Sequence, residues 1–240
     1  MSSQSHADAH VAHHFESAEQ QRQSAQFGMW VFLVSEMMFF GGLFTAYIIY
    51  RMLYPAAWAV GSSLLDLRLG GVNTLIIFGS SFALTMAIHC AQTDKRKSSA
   101  TWIVLTLALG VIFLGVKGLE YAAKFEHHLV PGAAFHFDPA SHLAQLQASG
   151  VAVSDHLRTA FETATPHHVQ LFFSMYFAMT GVHAVHMIIG IGLLLWLLKG
   201  TAKGRYSSAY YNPVEVCGMY WHFVDLIWIF LFPLLYLVGR

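Results

Sequence analysis

From Phe27 to Tyr50 the chain reads FGMWVFLVSEMMFFGGLFTAYIIY, 24 residues of almost unbroken apolar sequence with a single acid, Glu36, inside it. About 20 apolar residues rising about 1.5 Å each cross a hydrocarbon core about 30 Å thick, so this run is predicted to be a membrane-spanning helix. Glu36 falls about 13 to 14 Å along its axis, near the bilayer midplane. A carboxyl at that depth is expensive unless it is protonated, paired or turned towards protein, and by default it marks a site. The plainer alternative is a neutral acid that hydrogen-bonds a neighbouring helix and only holds a bundle together.

The remainder of the chain has the same character. Of its 240 residues 56% are apolar, 15% aromatic and only 11% charged, which points to a polytopic membrane protein forming one bundle. Thirteen basic and thirteen acidic residues leave no net charge, which gives no reason to expect a nucleic-acid partner. Cys90 and Cys217 stand singly in separate apolar segments and read as packing residues. Residues 1–26 form a polar, His-rich tail without an apolar core followed by a small-residue cleavage site, so no cleavable signal is expected. The HxxH at His10 and His13 lacks a thiolate or carboxylate array and reads as a solvated surface.

The fold expected for 27–240 is all-α, a membrane bundle of five transmembrane helices with spans at about 27–50, 72–91, 101–121, 169–198 and 214–238. Tyr54, Pro55 and Trp58 are expected to end the first span with a turn and an interfacial anchor. Gly79, Ser80, Ser81, Ala83 and Ala87 suit the second span to close helix packing, and Ser174, Ala178 and Gly181 do the same for the fourth. Lys117 and Glu120, three apart near the end of the third span, share a helical face and can pair. They read as an interfacial ion pair with a snorkelling lysine or as part of a proton path. The extramembrane loop 122–166 is long enough to need structure or a docking role, and 143–148 and 155–163 suit short surface helices. Its histidines match no ligand spacing and read as an exposed, partner-facing surface.

Basic residues set the orientation. Arg22, Lys95, Arg96, Lys97, Lys199, Lys203 and Arg205 fall on the N-terminal side, whereas Arg51, Arg68, Lys124, Arg158 and Arg240 are spread over longer loops on the other. The N-terminus is therefore expected in the cytoplasm and the C-terminus outside.

Besides Glu36, the midmembrane polar groups are His183 and His186 in GVHAVHMIIG and His222 and Asp225 in YWHFVDLIW, each pair three apart on one helical face. They are expected to hydrogen-bond one another or trapped water, because leaving them unpaired costs several kcal/mol. A carboxylate-bridged di-iron site needs two Glu-x-x-His helices, and no glutamate here has a histidine three residues later. A bis-histidine haem between His183 and His222 is the remaining metal reading, set against by bulky Phe, Met and Trp neighbours.

GMWVFLVSEMMFFGGLFTAY, the stretch Leu69 to Thr74, Lys117 to Tyr121, YFAMTGVHAVHMIIGIGLL and EVCGMYWHFVDLIWIFLFPLLYL together resemble subunit III of the haem-copper oxidases. The resemblance runs from about Phe27 to Leu237, the long third loop excepted, and is to the five-span bacterial form; longer members have two more helices. It implies a chain with no catalytic residue, no metal and no cofactor of its own. Such a subunit packs against the catalytic subunit I, which carries haem and copper, and against the complex's other subunits, and binds phospholipid. It supports proton uptake and stability in turnover, in a bacterial plasma membrane whose oxidase accepts electrons from cytochrome c. Glu36 matches the family's intramembrane glutamate, His183 and His186 its paired histidines, and Glu215, His222 and Asp225 its last-helix motif. Lys117, Glu120 and Glu215 are candidate interfacial or lipid-headgroup contacts. A quinol-oxidase subunit III, a relative accompanying nitric-oxide reductases, and an independent proton-conducting transporter are the alternatives.

Overall fold

The computed structural model describes residues 15–132, 135–150, 153–208 and 210–237. His6, His10, His13 and His14, most of the polar tail, Val238 and Arg240 lie outside the described residues. The described elements are α1 (Ala18–Leu53), α2 (Pro55–Ser63), α3 (Leu67–Gln92), α4 (Arg96–Glu126), α5 (Pro139–Ala148), α6 (Asp155–Thr163), α7 (Pro166–Ala202) and α8 (Asn212–Phe232), followed by a π-helical turn at Pro233–Leu237. Five of these helices are long and apolar enough to cross a membrane, so the all-α, five-span architecture is borne out. Each runs past its apolar run because its polar ends continue into water, where helix is still satisfied by its own ladder.

Local chemistry sets the ends. Asp66 caps α3, its Oδ1 accepting from the Arg68 and Leu69 N–H groups at 2.8 and 3.2 Å, which starts that helix earlier than its apolar run alone suggests. Asp138 and Ser154 cap α5 and α6 in the same way. The turn expected at Pro55 is instead the start of a nine-residue helix, α2. Proline is well suited to a first helical turn because the N–H it lacks would have no partner there. At Pro233 the same missing donor, now late in a helix, coincides with the switch from α to π hydrogen bonding.

The chain divides into two compact units. The first comprises Met1–Phe39, Leu75–Phe113 and Val185–Leu226. Its centre is Trp221, whose Nε1–H donates to Ser80 Oγ at 2.8 Å and whose ring leaves no room for a Cβ at Gly110 (2.8 Å) or Gly190 (2.9 Å). At one end the Arg96 guanidinium donates to the Thr201 and Ala202 carbonyls, closing the C-terminus of α7. Asp94, with φ of 56°, makes the tight α3–α4 turn. Its carboxyl accepts the Ser208 N–H at 2.7 Å and is held below the ordinary carboxylate range, chiefly by Ser208.

The second unit comprises Phe40–Thr74, Leu114–Ala184 and Ile227–Arg240. Here Trp58 of α2 packs edge-on against Tyr47 and Phe172, and Gly61 sits so close to the Phe172 ring that a Cβ would fall 2.2 Å from it. α6 packs on α2 and α5, with Phe161 buried and stacked on Phe137. The loop helices are therefore part of this unit's core. Among the described residues the small-residue stripe expected on α7 is open at two of its three positions, since Ala178 is exposed and a Cβ at Gly181 would meet nothing within 4 Å. Close approach in the first unit falls on Gly110, Gly190 and Gly218 instead, opposite the Trp221 ring and Ile88.

Candidate functional sites

In the first unit, α1 and α7 bring together two of the predicted residues. His186 Nε2 lies 3.1 Å from Glu36 Oε2, with the side chains 14% and 20% exposed, so the pair sits at the chain's surface within an apolar segment. α8 holds its histidine in place, the Tyr220 hydroxyl donating to the His186 carbonyl at 3.0 Å while the Tyr220 ring stacks on Phe32 of α1. Glu36 can accept a hydrogen bond from the ring nitrogen.

His222 and Asp225 do not join that pair. His222 Nδ1 lies 2.8 Å from Ser81 Oγ and its Nε2 3.4 Å from Thr85 Oγ1, both on α3. Asp225 is buried, with Ser81 of α3 as its neighbouring polar side chain. Of the groups expected to bond one another or trapped water, Glu36 and His186 pair, and His222 is anchored separately on α3. Depth along a helix does not fix azimuth, and a quarter-turn sends a side chain to another neighbour. Glu215, near the start of α8, has Gln26 Nε2 at 3.5 Å from its Oε2.

The second unit holds a closed polar network that sequence reading identified only in half. Lys117 Nζ donates to Glu120 Oε2 at 2.8 Å, to Tyr236 Oη at 3.0 Å and to Tyr176 Oη at 3.2 Å. Both tyrosine hydroxyls donate to the other carboxylate oxygen, Glu120 Oε1. All three ammonium donors and both carboxylate oxygens are engaged. The ammonium also lies 5.0 to 5.6 Å from the ring centres of Trp228, Tyr176, Tyr121 and Tyr236. The snorkelling reading fails here, because Lys117 is buried, turned inwards into an aromatic cage. His183, also buried, lies against Trp228 of this cage with ring centres 5.3 Å apart, and Trp228 donates to Thr74 at 3.1 Å. His183 thus belongs to a different environment from His186, three residues on.

Sequence reading missed Tyr176, Tyr236 and Lys124. A signal was present: Lys117, Glu120 and Lys124 recur at i, i+3 and i+7, a polar stripe on one face of an otherwise apolar helix. Lys124 is buried and donates to the Leu64 carbonyl at 2.5 Å. No group of three or more His, Cys, Asp or Glu suited to a metal ion occurs among the described residues.

The sequence model of the family described as cytochrome c oxidase subunit III matches residues 6–171 and 162–240. The chain belongs to that family. A cytochrome c oxidase subunit 3 of Synechocystis sp. is 33% identical over 213 residues, covering 88% of this chain and 75% of the relative. A probable quinol oxidase subunit 3 of Staphylococcus haemolyticus is 24% identical over 231 residues, 96% of this chain and 97% of its own length. A haem-copper oxidase subunit I+III of Aeropyrum pernix is 27% identical over 219 residues, which span 88% of this chain and 22% of that larger protein. As a member of the family with five apolar helices, the chain is a multi-pass membrane protein and part of an oxidoreductase assembly.

Proposed function

We propose that the chain is the non-catalytic subunit III of a respiratory haem-copper oxidase, packed against a subunit I that holds the haem and copper. The observation that carries this reading is the Aeropyrum pernix relative, in which one polypeptide is named as both subunits I and III. Fusion is tolerated only where two chains work at fixed stoichiometry and in one place. The parent complex passes electrons to oxygen and moves protons, and this chain serves it through packing, bound phospholipid and proton handling. In the α1–α7 pair, Glu36 presents a carboxyl to the apolar surface with His186 fixing its direction. It acts as a polar anchor or proton-facing group beside a catalytic neighbour. Glu215 serves an interface, and Lys117 and Glu120 serve the interior of the same chain. The complex resides in a bacterial plasma membrane with the N-terminus of this subunit in the cytoplasm, as its basic residues favour.

Native mass spectrometry with optical spectra on the complex purified through this chain tests the reading. Co-purifying haem-bearing and copper-bearing subunits are the expected result. A chain that purifies alone and conducts protons in liposomes is a transporter, and the reading fails. The quinol-oxidase branch is kept as a second reading because the Staphylococcus haemolyticus relative matches nearly end to end. Turnover with reduced cytochrome c but not with quinol selects the cytochrome c branch.

A further inference from the structure

Beside the aromatic cage the second unit contains a cavity of about 560 Å³ that no role above uses. Its walls come from the α2–α3 turn and the start of α3, the last turns of α4, and α5. Asp66, Arg68, Gln145 and Ser149 line it and are exposed, so it has a polar rim in contact with the surroundings. Glu120, Lys124 and His142 line it and are buried, so a carboxyl, an ammonium and an imidazole form its inner wall.

The accounting of hydrogen bonds decides what fills it. Glu120 is satisfied from behind by Lys117, Tyr176 and Tyr236. Asp66 is used as a helix cap. Lys124 has three N–H donors and among the described residues one acceptor, the Leu64 carbonyl, which lines the same cavity. An ammonium buried with two donors unmet costs several kcal/mol. The space is far larger than the roughly 30 Å³ of one water, and Lys124, Glu120 and the exposed Asp66, Arg68, Gln145 and Ser149 along it offer water several polar partners.

We propose that this cavity is a water-filled vestibule that puts Glu120 in proton exchange with the aqueous phase at the side of the protein carrying α2 and the α5–α6 loop. The Lys117–Glu120–Tyr176–Tyr236 quartet is then a proton-exchange site and not a sealed ion pair. In uptake, a hydronium in the vestibule gives its proton to a Glu120 carboxylate oxygen and leaves as water. The quartet is left with a neutral acid beside the Lys117 ammonium, and one tyrosine hydroxyl turns to accept. Release is the reverse, to vestibule water. The groups facing Glu120 that bias this step are Lys117, Tyr176 and Tyr236 in contact with it, Lys124 one turn along α4, and Asp66, Arg68, His127 and His142 around the vestibule.

The test uses the intact oxidase complex with Ala123→Cys, a half-buried α4 position on the vestibule wall, while the native Cys90 and Cys217 are buried. A charged, membrane-impermeant methanethiosulfonate should label the variant and not the parent. Infrared difference spectra on lowering the pH should contain a protonated-carboxyl band that Glu120→Gln removes. On transfer to deuterated buffer that band should shift within the mixing time, and at least tenfold more slowly once the vestibule is plugged by the label. No labelling, as when a lipid headgroup or a partner segment occupies the space, overturns the proposal. So does a Glu120 band that is absent at every pH where the complex stays assembled, or one whose exchange the plug leaves unchanged. Failure here leaves co-purification with haem-bearing subunits untouched, so the two readings fail separately.

Discussion

Glu36 and Glu120 are two acids on apolar helices of one chain, held in opposite ways. Glu36 meets one histidine nitrogen at the surface of the chain, with a fifth of its side chain exposed. Glu120 is 2% exposed and receives hydrogen bonds from a lysine and two tyrosines inside an aromatic cage. The difference lies in the neighbours: a lysine and two tyrosines enclose one carboxyl, and a single ring nitrogen meets the other. Glu120 has its hydrogen bonds met within the chain, whereas Glu36 keeps capacity for a neighbour to use.

Breaking the closed network should have the largest effect. Glu120→Ala leaves the Lys117 ammonium buried with its counter-charge gone, which costs about 3 to 5 kcal/mol. Thermal unfolding of the complex, or the yield of assembled complex, checks this. The double change Lys117→Met with Glu120→Gln removes both charges and should recover most of the loss. If the double variant is no better than the single one, the network's value lies in its hydrogen bonds and not in its charge balance.

A packing change measures the frame around the other acid. Gly190→Ala on α7 places a Cβ 2.9 Å from the Trp221 ring and should cost about 1 to 3 kcal/mol, because the indole is already held between Gly110 and Gly190. Gly181→Ala, where a Cβ meets nothing within 4 Å, is the matched control and should leave stability unchanged or raise it by up to about 1 kcal/mol. A loss at Gly181 confined to the complex identifies that stripe as a partner contact.

At Glu36 the expected pattern reverses. Glu36→Gln keeps an oxygen that can accept from His186, so stability should change by less than about 1 kcal/mol. Haem content should stay the same while proton uptake or lifetime in turnover changes. If neither changes, Glu36 is structural and the contrast with Glu120 collapses.

The architecture was legible in the sequence because lipid demands about 20 apolar residues per crossing, a signal that no local choice can mask. Asp155 to Thr163 was legible for a related reason, an amphipathic run behind a serine cap. α2 was not, because Pro55 serves a turn and a first helical turn equally well, and only burial of Trp58 separates the two. The pairing of Glu36 with His186 lay within the predicted group, but the exclusion of His183 and His222 from it did not follow from spacing. Residues three apart share a face only broadly, and which neighbour each meets depends on how helices from distant parts of the chain pack. The tyrosines of the cage were invisible for the same reason, lying 56 and 116 residues from Glu120 in sequence.

The smallest effect probes α5, one wall of the vestibule beside the Glu120 network. Asp138 caps α5, which lines the vestibule, and its carboxyl is held below the ordinary range by the Ser141 side chain and by the Ser141 and Ala140 N–H groups. A depressed folded value means that the cap stabilises the folded helix above the unfolded carboxyl's value of about 3.9 and is lost as pH falls through the folded one. Below about pH 4 the first turn of α5 should therefore fray before the membrane helices change. Amide hydrogen exchange at residues 140–142 should quicken there, and Asp138→Asn, which caps without ionising, should remove the pH dependence while keeping the helix. Exchange that quickens equally in Asp138→Asn shifts the cause of the fraying to another group.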